Sequence, residues 1–215
     1  MDEALADLIR RGAAALGLEV PEAAVAPLLR HVELLLKWNR SINLTAVTSG
    51  AEVIEKHVLD SLAAAALVPP GTLLDAGSGG GFPGLPIRLV RPDVSVTLVD
   101  SVGKKVAFLK NVIADLRLTS ARAVATRLGS AAGPEGPLGP FDAGVARAFA
   151  APEEWLTLAQ AYVRPGGTIL CLAGPRDELP EQVGKAARQE TRELRLPFSG
   201  AVRRIGIYRI EGGAA

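Results

Sequence analysis

The sequence has a single cysteine, Cys171, and two histidines, His31 and His57. That scarcity excludes a disulfide framework and the Cys- or His-rich cluster of a structural zinc site. Aromatic residues make up only 4% of the 215 residues, so the core must be built mainly from Ala, Val, Leu and Ile. No sign of charge dominates: 24 Lys and Arg face 23 Asp and Glu, and the net +1 leaves any basic surface to be a local one. Long apolar runs are missing too. Leu62 to Val68 is far shorter than the ~20 residues of a membrane span. The start, Met1-Asp-Glu-Ala-Leu-Ala-Asp, is acidic where a signal peptide is basic. These absences predict a soluble protein of the reducing cytoplasm, off the membrane and without a metal.

What is present is globular material: 48% hydrophobic and 22% charged residues, with 23 Gly and 15 Pro, enough for one sizeable core. Residues 1–69 read as a helical region. Leu5, Leu8 and Ile9 form one apolar stripe that ends near Gly17, and Val25, Leu28, Leu29, Val32, Leu35 and Leu36 form a second. Pro21 suits the first turn of that second helix. After the loop at Asn43, Thr48 or Ser49 is the expected N-cap of a helix running through Glu55 and His57.

Residues 70–215 change rhythm to strand, turn, helix, and with the helical region they form one compact unit. Strands are expected at Thr72–Ala76, Ser95–Val99, Ala121–Ala125, Ala143–Ala146 and Thr168–Leu172, with helices near Lys104–Leu116 and Pro152–Val163. Such alternation implies an α/β fold with a mostly parallel, Rossmann-like sheet. Ala201–Ile210 has strand character without room for another crossover helix, which suggests an antiparallel edge strand. Gly129 to Pro140 has seven Gly or Pro in twelve residues and reads as a mobile loop.

The most informative stretch is Leu73-Leu-Asp-Ala-Gly-Ser-Gly-Gly-Gly-Phe-Pro-Gly84, a strand running into a glycine loop that opens a helix. Open α/β sheets bind nucleotides at such a place. Gly79, Gly81 and Gly84 satisfy G-x-G-x-x-G, so an NAD(P)-dependent reductase is one reading, and a tight turn with no ligand is another. Pro83 argues against the reductase because it removes an N–H where a diphosphate wants donors. Asp75 suits a cation better than a diphosphate. The fuller spacing of Asp75, Gly77, Ser78, Gly79 and Gly81 lets the backbone approach an uncharged nucleoside. S-adenosylmethionine carries that nucleoside together with a sulfonium and an ammonium. Asp100, ending the next strand about 20 residues on, is placed to accept from ribose hydroxyls.

Asn43-Leu-Thr, His57-Val-Leu-Asp-Ser61, Asp75-Ala-Gly-Ser-Gly-Gly-Gly-Phe-Pro-Gly84 and Leu98-Val-Asp-Ser-Val-Gly-Lys-Lys-Val-Ala-Phe-Leu109 together resemble the RsmG (GidB) family. These are bacterial methyltransferases acting on N7 of a guanine in 16S ribosomal RNA. The resemblance runs from about Trp38 to Gly174. It implies S-adenosylmethionine as cofactor, the 16S ribosomal RNA or small ribosomal subunit as partner, and a seven-stranded sheet whose last strand is antiparallel. It also implies that Gly77, Phe82, Leu128 and Gly129 contact the cofactor. Arg147, in Val145-Ala-Arg-Ala-Phe149, is implied beside both cofactor and target base. Asn43 and His57 match family positions in the helical region; for His57 a packing role is the plainer reading, as it is for Trp38.

Two departures from the family pattern stand out. Gly129 replaces an acid after Arg127-Leu, and Ala173 replaces a Lys in Leu172-Ala-Gly174. They raise the alternative of a divergent relative that binds cofactor and RNA but transfers methyl weakly or not at all. The chemistry asks little of acid–base residues, because guanine N7 carries no proton and alignment is the main requirement. Cys171 lies in an apolar run and reads as a core thiol. Between Ser101 and Ala132 six basic residues, including Lys104, Lys105 and Arg127, face the single acid Asp115, a local excess suited to RNA phosphates. A solvated helix face is the competing reading. A monomer is expected.

Overall fold

A computed structural model of the chain describes residues 2–129 and 138–212. The expected loop from Gly129 to Pro140 therefore lies for the most part outside the described residues. Helix α1 (Glu3–Ala15) starts at Asp2, whose side chain accepts from the Ala4 and Leu5 N–H groups that would otherwise lack partners. Helix α2 (Glu22–Asn39) follows, with Pro21 just outside it as the cap residue and not in its first turn. Ser49, the second of the two expected caps, accepts from Glu52 N and opens α3 (Gly50–Val53). The helix then widens into a π-helical stretch, Ile54–Leu59, before closing again as α4 (Asp60–Ala65).

The strand–helix alternation begins at β1 (Gly71–Ala76), α5 (Gly84–Val90), β2 (Val94–Asp100), α6 (Gly103–Asp115) and β3 (Ala121–Ala125). It continues with β4 (Phe141–Arg147), α7 (Pro152–Ala159), β5 (Val163–Ala173), β6 (Gln182–Val183), β7 (Ala186–Arg195) and β8 (Val202–Ile210). Helix α7 is shorter than expected, since Val163 already belongs to β5. The described residues form one eight-stranded sheet in the order β3-β2-β1-β4-β5-β8-β7-β6. The expectation of seven strands is corrected to eight. Strands β1 to β5 are parallel, β8 is antiparallel to β5, and β7 is antiparallel to β8. Nor is β8 an edge strand: it lies between β5 and β7 and is shielded on both sides.

Alternation of side chains along each strand divides the core in two. Leu73, Val96, Leu98 and Val145 point to one face, where they meet Leu28, Leu35, Ile54 and Leu59 of the helical region together with Phe108 and Leu109 of α6. Leu74, Val99, Val124 and Ala146 point to the other face, where Trp155 and Leu156 of α7 cover them. The first 69 residues thus share a continuous core with the sheet. Trp38, expected as an anchor, packs edge-on against Phe108 with ring centroids 5.7 Å apart. Cys171 is buried, and burial pushes its thiol up to about 12, which suits a core residue.

Candidate active site

The chain leaves β1 toward β2 on one side and returns to β4 on the other, so the sheet's switch point lies between β1 and β4. A crevice opens there at the C-terminal strand ends. Gly77 follows β1 and Arg147 ends β4, and both line a cleft of about 470 Å³. A larger cavity of about 1150 Å³ continues on the α7 side and shares Ala148 and Ala173 with it.

The glycine loop is shaped from beneath. Gly77, Gly79 and Gly81 have φ of 68°, 53° and 89°, a region that side chains other than glycine's rarely occupy. Phe149 lies against Gly77, where an added Cβ would come within 2.5 Å of the ring, whereas at Gly79 the nearest atom is 3.8 Å away. The loop is therefore open to a ligand at Gly79. Ser78 turns its hydroxyl inward, donating to Asp75 O at 2.9 Å and accepting from Val99 N at 3.1 Å. Gly81 sits behind the loop against His31 and does not line the cleft.

Asp75 corrects an expectation. Its side chain is fully buried and turned away from the cleft, with Oδ2 accepting from Gly84 N at 2.9 Å and Oδ1 unpartnered. Burial pushes its pKa up to about 7. A sealed carboxyl cannot stand beside a cofactor cation; it ties the start of α5 to β1. Asp100 is also mostly buried, its Oδ2 accepting from Gly79 N at 3.0 Å and its Oδ1 from Val102 N at 2.8 Å. Each oxygen keeps a further lone pair for another donor. Beyond it, Leu128 is buried, and the Gly129 N–H donates to the Tyr162 hydroxyl at 2.8 Å.

The other wall comes from the helical region and from β8. Arg147 Nη1 donates to Lys56 O at 3.0 Å, to His57 Nδ1 at 3.1 Å and to Asp60 Oδ2 at 3.2 Å, and its guanidinium lies 5.6 Å from the centre of the Phe82 ring. An ion pair and a place in the cleft thus coincide in this residue. His57 Nδ1 lies between Arg147 Nη1 at 3.1 Å, which donates, and Lys56 O at 3.0 Å, which accepts, while its Nε2 faces the Thr45 hydroxyl at 2.8 Å. Burial first, then the Arg147 charge, push the His57 pKa down to about 4, so the ring is neutral. Phe82 is sandwiched by imidazoles, with ring centroids 4.6 Å from His31 and 5.0 Å from His57.

Sequence reasoning missed Asp60 and Arg203. Asp60 is buried, and its Oδ2 also accepts from Arg203 Nε at 3.4 Å, so one carboxylate orients two cleft-lining cations. An acid inside the apolar stretch Val58 to Ala65 was the available signal for Asp60. Nothing local marks Arg203. The other expected RNA contacts are not gathered here. Asn43 is exposed next to Leu44, which lines the cleft, and Lys104 and Lys105 sit in the first turn of α6, outside the lining residues, with Arg127 exposed after β3.

A family model described as GidB, rRNA small subunit methyltransferase G, matches residues 25–205. The Ribosomal RNA small subunit methyltransferase G of Myxococcus xanthus is 43% identical over 211 residues, covering 95% of this chain and 97% of that protein. Its counterpart in Anaeromyxobacter dehalogenans strain 2CP-C is 48% identical over 175 residues, 81% of this chain and 80% of that protein. Among solved structures, the chain resembles Burkholderia thailandensis 1,6-didemethyltoxoflavin-N1-methyltransferase, determined with S-adenosylhomocysteine bound. The TM-score is 0.54 at 16% identity, over 91% of this chain and 92% of that one. A SAM-dependent methyltransferase from Aquifex aeolicus gives 0.52 at 15% identity, over 74% and 93%. At such low identity the likeness is one of fold: the sheet is that of S-adenosylmethionine-dependent methyltransferases.

Proposed function

The chain belongs to the rRNA small subunit methyltransferase G family, and from that premise we propose that it transfers a methyl group from S-adenosylmethionine to N7 of a guanine in 16S ribosomal RNA. The observation that carries the reading is the meeting, in one cleft, of a glycine loop open at Gly79 and an arginine fixed at the end of β4. The residues present fit the cofactor. The Gly77–Gly79 backbone and the spare lone pairs of Asp100 would hold the nucleoside, and Leu128 would flank the adenine. The competing nicotinamide reading fits worse. Pro83 has no N–H, and that of Gly84 is already taken by Asp75, so the start of α5 has little left for a diphosphate.

Bound S-adenosylmethionine supplies an electrophilic methyl group on a sulfonium. The protein's part is placement, since the N7 lone pair is free and no side chain need remove a proton. Arg147 is a pre-set donor for the base or its phosphate, held by Lys56 O, Asp60 and the Phe82 ring with His57 beside it. Asp60 offsets part of the positive charge of Arg147 and Arg203, which lowers the repulsion felt by a guanine that becomes cationic on methylation. The absent acid at Gly129 and absent lysine at Ala173 leave these groups untouched. Across the β5–β8 ladder Ala173 pairs with Arg204, which puts a cation on the neighbouring strand.

The test supplies methyl-labelled S-adenosylmethionine with purified small subunits or naked 16S ribosomal RNA, and identifies the modified nucleoside by mass. We expect N7-methylguanosine at a single position. Label at another atom or in another RNA overturns the substrate assignment. Calorimetric binding of NAD but not of S-adenosylmethionine overturns the cofactor assignment.

A further inference from the structure

The turn joining β7 to β8 has no place in the reaction described so far. It presents Phe198, 44% exposed and one of two large hydrophobic side chains in the open among the described residues. Its backbone is held in place. Glu55, a buried carboxylate of the π-helical stretch, accepts from Phe198 N at 3.2 Å, Ser199 N at 2.6 Å and Ser199 Oγ at 2.7 Å through one oxygen. The Leu196 and Gly200 N–H groups close the turn on Ala201 O and Leu196 O, both at 2.9 Å. Three donors satisfy the buried carboxylate, and in return they fix the backbone from which the exposed ring projects.

The surroundings indicate what would meet the ring. Glu55 precedes Lys56 and His57, both of which line the cleft. In a π-helix residues five apart fall near one another, so Glu55 and Asp60 both face the β7–β8 hairpin. Glu55 grips the turn and Asp60 grips Arg203, the second residue of β8. Arg203 pairs with Leu194 across the hairpin, so its side chain lies on the face turned to the helical region, whereas Arg195 points to the opposite face. An open aromatic ring on a turn tied to the helix of Lys56 and His57, on the hairpin whose Arg203 lines the cleft, matches the chemistry of single-stranded RNA, whose bases stack while its phosphates seek guanidinium groups.

We propose that Phe198 is a stacking platform for an unpaired base of the RNA substrate flanking the target guanine, with Arg203 on an adjoining phosphate. The proposal rests on the reading of the chain as an RNA methyltransferase. Phe198→Ala, Phe198→Leu and Phe198→Trp are compared with the parent for binding to naked 16S ribosomal RNA and to small subunits, with S-adenosylmethionine affinity measured alongside. The Ala and Leu variants are expected to bind RNA roughly five- to fiftyfold more weakly at unchanged cofactor affinity. The Trp variant is expected to match the parent. Its added fluorescence, over that of Trp38 and Trp155, should be quenched by RNA but not by heparin, a polyanion without bases. A Leu or Ala variant that binds like the parent overturns the stacking. A loss confined to intact subunits, with naked RNA unaffected, overturns it as well and assigns the ring to a ribosomal protein. A parent that binds neither RNA nor subunits overturns the functional reading itself, which the variants alone cannot do.

Discussion

At the scale of single residues, Arg147 and the two histidines carry the sharpest consequences. Arg147→Ala should lower methyl transfer at least tenfold, a loss of about 1.4 kcal/mol of transition-state stabilisation, while Arg147→Lys should recover only part of it. Single-turnover rates on small subunits check this, and an unchanged rate in a folded variant removes Arg147 from the site. His31 is fully buried, donates at Nε2 to Gly80 O at 2.7 Å, and is pushed down to about 4 by burial. Since the folded ring refuses a proton that the unfolded chain takes up below pH ~6.5, stability should fall as pH drops from 6.5 toward 4. His57 adds in the same direction. Asp75 opposes both, because its folded pKa lies above its unfolded one and its contribution to stability declines as pH rises from about 4 to about 7. Chemical denaturation of His31→Gln at pH 4.5 and 7 separates the terms: the parent's margin over the variant should grow with pH by up to about 3 kcal/mol. Arg147 could be read from its place at a strand end. The partners Asp60 and Arg203 could not, because contacts across 87 and 143 positions follow no spacing rule.

At the scale of elements, the glycine loop and β7 mark opposite extremes of legibility. The loop announces itself because its backbone demands residues that nothing else supplies. Gly77→Ala should cost about 1–2 kcal/mol in backbone strain and displace the Phe149 ring, weakening S-adenosylmethionine binding at least tenfold. Calorimetry decides, and retained affinity would mean the loop is only a tight turn. Strand β7, Ala186-Ala-Arg-Gln-Glu-Thr-Arg-Glu-Leu-Arg195, has almost no apolar side to read. It is a strand because β8 offers it a ladder, and most of its side chains stay in solvent. Its absence from the sequence reading is also why β8 was expected at an edge. The π-helical stretch likewise left no trace in apolar periodicity, although it aligns Glu55 with Asp60.

At the scale of the molecule, the first 69 residues contrast with the rest in pattern but not in packing. Their buried side chains meet the sheet and α6 in one cluster. Trp38 reports on that face and Trp155, on the buried side of α7, on the other. Trp38→Phe and Trp155→Phe each leave one reporter, and both variants should give a denaturation midpoint that coincides with the loss of helical circular dichroism. Separated midpoints would show that the helical region unfolds on its own. The alternation of strand and helix made the parallel half of the sheet legible, whereas its antiparallel half depends on pairings between segments far apart in the chain.

Strand β8 is inserted between two strands that are both made before it. Strand β7 therefore has no ladder to the rest of the sheet until β8 pairs with β5, and Arg203 reaches Asp60 only when the strand that carries it is in place. Until then Asp60 has one cation in place of two. The cleft is thus among the last parts of the protein to be completed, and a nascent chain still being translated on a ribosome has no finished site with which to engage that ribosome's own RNA.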